Sequence, residues 1–339
     1  MGCKYCRKRS FKYLSQNIIK SDEEIVDLVK LEGDVKKISL LAKDVFDIPI
    51  LKISGCGEFF LLPQALQILK IMQKNYERIQ IITNATLLNE DIISKISEIK
   101  GINVCVSLDG HTSKLNACRT KNKHLIKKIL NNIQLLRRYN IPVEINSVLT
   151  RYNISGFVEF IEYLSDRYDK LTCYPFPVKG ANSLSVWGEE AAEELLPLLD
   201  SYKRFSSILP HEGYIKRLIS FISTRGRQNK CYIGYANLGI EPDGNILVCA
   251  CSIKEALGNI LEKDPISTLK QRNSHPAFYK FLFKEFSFKE CRQCFTHYEI
   301  INLCLDGTIA LDEIARIPLF SGERTKEALK EIRNELAGV

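Results

Sequence analysis

Hydrophobic positions along the first half of the chain alternate between two periods, one near 3.6 residues and one of continuous short runs. Ile25, Val26, Leu28 and Val29 follow Ser21-Asp22-Glu23-Glu24 at helical spacing, and the serine with a glutamate three residues on forms a capping box. A second short helix is predicted around Val35 to Ala42. Ile48-Pro49-Ile50-Leu51-Lys52-Ile53 then reads as a strand that runs into Ser54-Gly55-Cys56-Gly57-Glu58, and Pro63 opens a helix through Met72. The unit repeats. Ile79 to Ile82 predicts a strand ending at Thr83-Asn84, with a helix from about Asn89 to Ile99. Val104 to Leu108 predicts another, ending at Asp109-Gly110 and followed by a helix from Lys123 to Tyr139. Val143 to Val148 precedes a helix from Gly156 to Leu164, and Lys170 to Tyr174 is the fifth strand. Strands separated by helical crossovers are the pattern of a parallel α/β sheet.

In barrels built this way the reactive site lies at the carboxyl ends of the strands. Gly57, Glu58, Thr83, Asn84, Ser107, Asp109 and Asn146 all fall at or near such ends, so their side chains are expected to converge on one mouth. Beyond Gly180 the pattern changes to a helical connector, with amphipathic helices predicted over Glu189 to Tyr202 and Tyr214 to Ser223, whose role is packing. The expected organisation is a barrel over residues 1–180, a connector over 181–226, a cysteine-rich unit over 227–305 and a helical tail over 306–339.

Composition narrows the class of protein. The chain has 339 residues, 45% hydrophobic and 26% charged, which suits a large domain with a smaller companion. No apolar run approaches the roughly 18 residues of a membrane span and no signal peptide is visible, so a soluble cytoplasmic protein is expected. Its net charge of +8 is spread through the helices, which argues for a solvated surface with no nucleic-acid partner. Twelve cysteines without a secretion signal point to metal or cluster ligation over a disulfide scaffold. Cys3 and Cys6 stand two residues apart with Tyr5 before the second, a spacing also used by zinc knuckles and redox sites. Cys231 and Cys249 bracket an apolar strand (Leu238, Ile240) and a Pro242-Asp243-Gly244 turn, a hairpin that returns Cys249 toward Cys231. Cys291 and Cys294 form another close pair, with Cys304 ten residues beyond. Cys105, Cys118 and Cys173 read as small hydrophobes, and none of the five histidines matches a ligand spacing.

The motifs in this order resemble the radical S-adenosylmethionine (radical SAM) enzymes. Cys3, Tyr5 and Cys6 fit the last four positions of that family's cluster loop, Cys-x-x-x-Cys-x-aromatic-Cys, whose first cysteine would fall two places upstream of Met1. The expectation is a partial (β/α)6 TIM-like barrel whose first strand is missing, with the DNA upstream encoding an apolar strand that ends in that cysteine. Gly55-Cys56-Gly57-Glu58 resembles the family's Gly-Gly-Glu motif, which implies that the backbone at Gly57 and the Glu58 carboxylate bind the amino group of S-adenosylmethionine. Thr83-Asn84-Ala85-Thr86-Leu87-Leu88 resembles Thr-Asn-Gly-x-Leu-Leu, with Ala85 for glycine. Ser107 and Asp109, with Arg119 twelve residues after Ser107, resemble the group that holds the cofactor's carboxylate, and Asn146 joins them at the fourth strand end.

The second half resembles the SPASM domain or its shorter twitch form, which holds auxiliary 4Fe-4S clusters in peptide-modifying members. The resemblance implies one auxiliary cluster on Cys231, Cys249, Cys291 and Cys294, with Cys304 and Cys251 as alternates and a structural zinc site as the competing use of the same residues. Implied as well are a SAM-binding 4Fe-4S cluster, S-adenosylmethionine cleaved to a 5'-deoxyadenosyl radical, a ribosomally made precursor peptide or protein as substrate, and flavodoxin or ferredoxin as electron donor. A catalytically inactive peptide-binding scaffold and a small-molecule cofactor-biosynthesis enzyme of the same fold are the alternatives. In sulfatase-maturing relatives an aspartate follows the cysteine that Cys249 matches, whereas Ala250 stands here and has no proton acceptor.

Overall fold

The computed structural model describes residues 48–54, 58–179, 183–241, 244–249, 256–259, 267 and 288–337. The cluster loop with Cys3 and Cys6, the two helices expected before residue 43, Gly57, Ala250 and Cys251 lie outside them.

Five strands form the main sheet: β1 (Ile50–Ile53), β2 (Arg78–Thr83), β3 (Ile102–Ser107), β4 (Val143–Leu149) and β5 (Leu171–Pro177). They lie side by side in chain order and every pairing is parallel. The helices α1 (Ala65–Met72), α2 (Glu90–Ser97), α3 (Lys123–Arg138) and α4 (Phe157–Ser165) occupy the four crossovers between them. This is the expected partial barrel. Asparagines start two of the helices, since the Asn89 side chain accepts from the Ile92 N–H and the Asn122 side chain accepts from those of His124 and Leu125.

Alternation along the strands gives the sheet two unlike faces. One carries Ile79, Ile81, Val104, Val106, Val143 and Ile145, all buried with Ile93, Ile96, Ile129, Ile133, Phe160 and Leu164 of the helices in one hydrophobic cluster. The other carries Lys52, Gln80, Asn103, Cys105, Glu144, Asn146 and Tyr174, and this polar set belongs to the barrel's inner side. Burying so many polar groups on one sheet face is costly unless they are paired or serve a ligand.

The connector departs from expectation. In place of one helix over Glu189 to Tyr202, three short turns run Glu189–Glu193, Leu196–Asp200 and Tyr202–Phe205. Pro197 lacks the N–H that would continue the first turn, so the chain restarts there. The next helix, α5 (Glu212–Ser223), packs on the barrel, where the Tyr214 hydroxyl donates to the Pro175 carbonyl at 2.9 Å.

The expected hairpin is present as β6 (Gly239–Ile240) and β7 (Asn245–Leu247), antiparallel, with β8 (Ala256–Asn259) added to β7. Past the second cysteine pair come α6 (Glu299–Leu305) and the long α7 (Glu323–Ala337). The tail closes back on the barrel base, where Thr325 donates its N–H and hydroxyl to Glu77 at 3.1 and 2.9 Å. A Cβ at Gly322 would meet the Glu77 carboxylate at 1.9 Å, so a larger residue there would have to displace that carboxylate from Thr325. Among the described residues no helix is long and apolar enough to cross a membrane.

Candidate functional site

At the carboxyl end of the sheet the polar groups form two interlocked sets. Just past β1, Glu58 accepts from the Thr83 hydroxyl at 2.6 Å and from the Asn84 N–H at 2.8 Å, which ties its carboxylate to the end of β2. Asn84 turns its side-chain oxygen back to the Thr86 N–H at 2.9 Å, so it shapes the loop. Ala85 holds a left-handed backbone, φ 57°, in which a side chain costs about 1 kcal/mol. That cost explains why glycine is the easier occupant of the position. Asn132 of α3 pins the turn by donating to the carbonyls of Ala85 and Leu88 at 2.8 and 2.9 Å.

The second set is built on Asp109. Its Oδ1 accepts from Arg119 Nη2 at 2.8 Å and from the Val148 N–H of β4 at 2.9 Å. Its own N–H donates to Asn116 Oδ1 at 3.0 Å. Carboxylate and guanidinium are both buried, with side chains 0% and 8% exposed. Asp109 thus stitches β3 to β4 and fixes the Arg119 guanidinium. Gly110 follows because a Cβ there would lie 2.2 Å from that of Leu115. Ser107 stands opposite Asn146 in register, and the Asn146 Oδ1 is buried with no hydrogen-bond partner.

Deeper on the same face lies a group that spacing did not reveal. Gln80 Nε2 donates to Glu144 Oε2 at 2.6 Å across β3, and Glu144 Oε1 and Gln80 Oε1 are buried without partners. His297, three residues past Cys294, reaches into the barrel, where its Nε2 meets the Lys52 Nζ. Its ring packs near Tyr174 and Phe176, with centroids 6.5 and 5.9 Å apart. Burial, Lys52 and Lys179 hold His297 well below its ordinary pKa, so it is the neutral acceptor of a lysine proton.

Glu144 is pushed up to about 7, chiefly by burial, against the opposing pull of Lys52 and the Gln80 hydrogen bond. The unfolded carboxyl titrates near 4.5, so between 4.5 and about 7 the folded state holds the proton more tightly. Stability therefore falls as pH rises through that window and stays lower above it, by about 3 kcal/mol. Glu144→Gln is expected to recover most of that difference at pH 8 and to change little at pH 4. Urea unfolding at both pH values checks this, and a variant less stable than wild type at pH 8 would contradict it.

Away from the barrel mouth, Cys231, Cys249, Cys291 and Cys294 are electrostatic neighbours of one another. Burial, then Cys231, Cys249 and Cys294, push Cys291 up to about 12, with Arg227 pulling the other way. Burial also raises Cys231 to about 12, opposed by Arg227 and supported by Cys294 and Cys249. Cys304 stands elsewhere, fully buried within α6, and its electrostatic neighbours are Arg333 and Asp306.

Among the described residues no three histidine, cysteine or acidic side chains are close enough to hold a single metal ion. Four thiols without an accompanying histidine or carboxylate are a donor set that either an iron-sulfur cluster or a structural zinc ion accepts.

An arginine and an asparagine adjoin these thiols, and no sequence signal marked them. Arg227 donates through Nε and Nη2 to the Cys294 carbonyl at 3.0 and 2.7 Å, and through Nη1 to Glu299 at 2.6 Å. Glu299, 1% exposed, also accepts from Arg217 at 3.0 Å and from Asn302 Nδ2 at 2.8 Å. That same Nδ2 lies 3.7 Å from Cys231 Sγ.

A polar cavity of about 250 Å³ opens at the opposite end of the barrel, lined by Arg78, Lys100, Asn103 and Pro318 among others. None of the mouth residues or clustered thiols lines it, so it is separate from both.

Comparison with known proteins places these features in context. The Radical SAM superfamily matches residues 1–164. A protein of Methanocaldococcus jannaschii, MJ0907, is 29% identical over 207 residues, covering 60% of this chain and 68% of that protein. The antilisterial bacteriocin subtilosin biosynthesis protein AlbA of Bacillus subtilis is 25% identical over 258 residues, 71% of this chain. The match spans only about half of AlbA, 53% of its length. Native anSMEcpe with bound AdoMet superposes with a TM-score of 0.60 at 19% identity, over 98% of this chain and 95% of that one. Streptococcus suis SuiB bound to precursor peptide SuiA gives 0.57 at 16% identity, over 82% of this chain and 63% of that one. Both structures share the fold.

Proposed function

We propose, from the premise that residues 1–164 belong to the radical SAM superfamily, that this enzyme modifies a ribosomally made peptide. The observation that carries the peptide reading is the grouping of Cys231, Cys249, Cys291 and Cys294, two of them buried and two half-buried, as neighbours of one another. The fold it shares with SuiB, which has been captured with a precursor peptide, supports the reading, as does its similarity to a bacteriocin biosynthesis protein.

The mouth supplies a site for S-adenosylmethionine. Glu58, oriented by Thr83 and Asn84, offers a carboxylate to the cofactor's ammonium. Arg119 offers a guanidinium to its carboxylate, and Asp109, its side chain fully buried, keeps that guanidinium in place. Ser107 and the unpartnered Asn146 oxygen offer further polar groups. Together with its 4Fe-4S cluster, bound S-adenosylmethionine supplies one-electron reduction and hydrogen-atom abstraction, chemistry that belongs to the cofactor. The barrel positions the substrate carbon and excludes water. Cys231, Cys249, Cys291 and Cys294 would hold an auxiliary 4Fe-4S cluster, with flavodoxin or ferredoxin as the external reductant.

Ala250 bears on which reaction follows. A positioned base is worth about a hundredfold or more in rate, and alanine cannot serve as one. Oxidation of a sulfatase cysteine or serine to formylglycine is therefore not expected, whereas modification of a precursor peptide at an unactivated carbon is. The test incubates the anaerobically reconstituted enzyme with S-adenosylmethionine, dithionite and either a sulfatase-motif peptide or a peptide encoded beside its gene. Mass spectrometry should find the second peptide altered and the first unchanged. Formylglycine on the first, with the second untouched, would overturn the assignment.

A further inference from the structure

We propose that Arg227 and Asn302, both oriented by Glu299, are positioning residues that raise the reduction potential of the cluster held by Cys231, Cys249, Cys291 and Cys294. The inference rests on the auxiliary-cluster reading above.

Arg227 is locked to the cysteine loop at three points. Its backbone N–H donates to the Arg292 carbonyl at 2.8 Å, between the two cysteines of the close pair. Its guanidinium then takes the Cys294 carbonyl as a two-pronged acceptor. A guanidinium 4% exposed keeps its charge, because arginine does not deprotonate in proteins. Glu299 makes that burial tolerable.

The four charged groups Arg217, Arg227, Glu299 and Asp306 sum to zero, but they are not evenly placed about the thiols. Arg217 meets Asp306 at 2.5 Å, toward the surface. Arg227 instead lies on the cysteine loop itself, with Nε and Nη2 on the Cys294 carbonyl at 3.0 and 2.7 Å. The positive end of the network thus faces that loop.

Thiolates ligating a cluster bring several negative charges into a buried site, and reduction adds one more. A fixed positive charge favours the reduced state over the oxidised one and so raises the potential. Asn302 acts in the same direction. Its Nδ2 lies between Glu299 and Cys231 Sγ, while its Oδ1 accepts from the Tyr232 N–H at 2.8 Å. The amide is thereby oriented with N–H toward sulfur.

The experiment compares wild type, Arg227→Met, Arg227→Lys, Asn302→Leu and, as a control, Arg217→Met, each reconstituted anaerobically. Potentiometric titration followed by electron paramagnetic resonance gives the midpoint potential, and iron retained after chelator treatment gives the loading. Arg227→Met is expected to titrate at a more negative potential and to retain about half the iron or less. Arg227→Lys should fall between it and wild type, Asn302→Leu should shift less in the same direction, and Arg217→Met should match wild type. Where Arg227→Met does not fold, Arg227→Lys and Asn302→Leu decide. Wild-type potentials in both would overturn the proposal even with the cluster present. A wild-type protein holding no iron on these cysteines, or zinc instead, would overturn the cluster reading and this inference with it.

Discussion

Replacing Cys291 and Cys294 together with alanine is expected to remove most of the iron held by the cysteines of the second half. Cys231, Cys249, Cys291 and Cys294 should hold about one cluster, roughly four irons per chain. The double variant leaves two thiols, too few to retain a cluster against a chelator. Replacing Cys3 and Cys6 should leave the iron on these four cysteines in place, because neither thiol belongs to that set. Cys304→Ala should also leave the iron in place, since that thiol packs inside α6 near Arg333 and Asp306. Iron and acid-labile sulfide analysis with visible spectra makes the measurement. Stoichiometric zinc without iron, or full iron in the Cys291 and Cys294 double variant, would sink the assignment.

Asp109→Ala should be the most destabilising single change at the mouth, by about 3–5 kcal/mol. It strips the partner from a buried guanidinium and leaves the Val148 N–H of β4 unsatisfied. Asp109→Asn keeps one acceptor oxygen for that N–H and loses the charge pairing, so about 1–3 kcal/mol is expected. Both variants should bind S-adenosylmethionine more weakly, because Arg119 is no longer held at the strand ends. Urea unfolding and equilibrium dialysis with labelled S-adenosylmethionine separate the two effects. If Asp109→Ala unfolds within about 1 kcal/mol of wild type, the stitching of β3 to β4 by Asp109 is not what the geometry indicates.

Periodicity and spacing alone determined a great deal of this protein. The five parallel strands follow from short apolar runs separated by helical patterns, because a strand covered on both sides needs such runs and a crossover needs a helix. Glu58, Asn84, Asp109 and Asn146 were legible as a mouth because strand ends in this architecture share one side. The cysteine spacing anticipated that Cys249 would return to Cys231, since a hairpin turn at Gly244 leaves the chain little choice, and the backbone there has φ 86°.

Tertiary structure decided what depends on residues distant in sequence. That Lys52 of the first strand meets His297, 245 residues later, cannot be read from spacing, and neither can the Gln80–Glu144 pair across an intervening strand. The connector broke at Pro197 where apolar periodicity predicted continuity, because one missing N–H outweighs a favourable pattern. Above all, Arg227, Glu299 and Asn302 look like ordinary polar residues in the sequence. Only the packing of α6 against the cysteine loop buries them together, and burial in a low-dielectric interior is what turns a surface-type charge into a determinant of the thiols beside it.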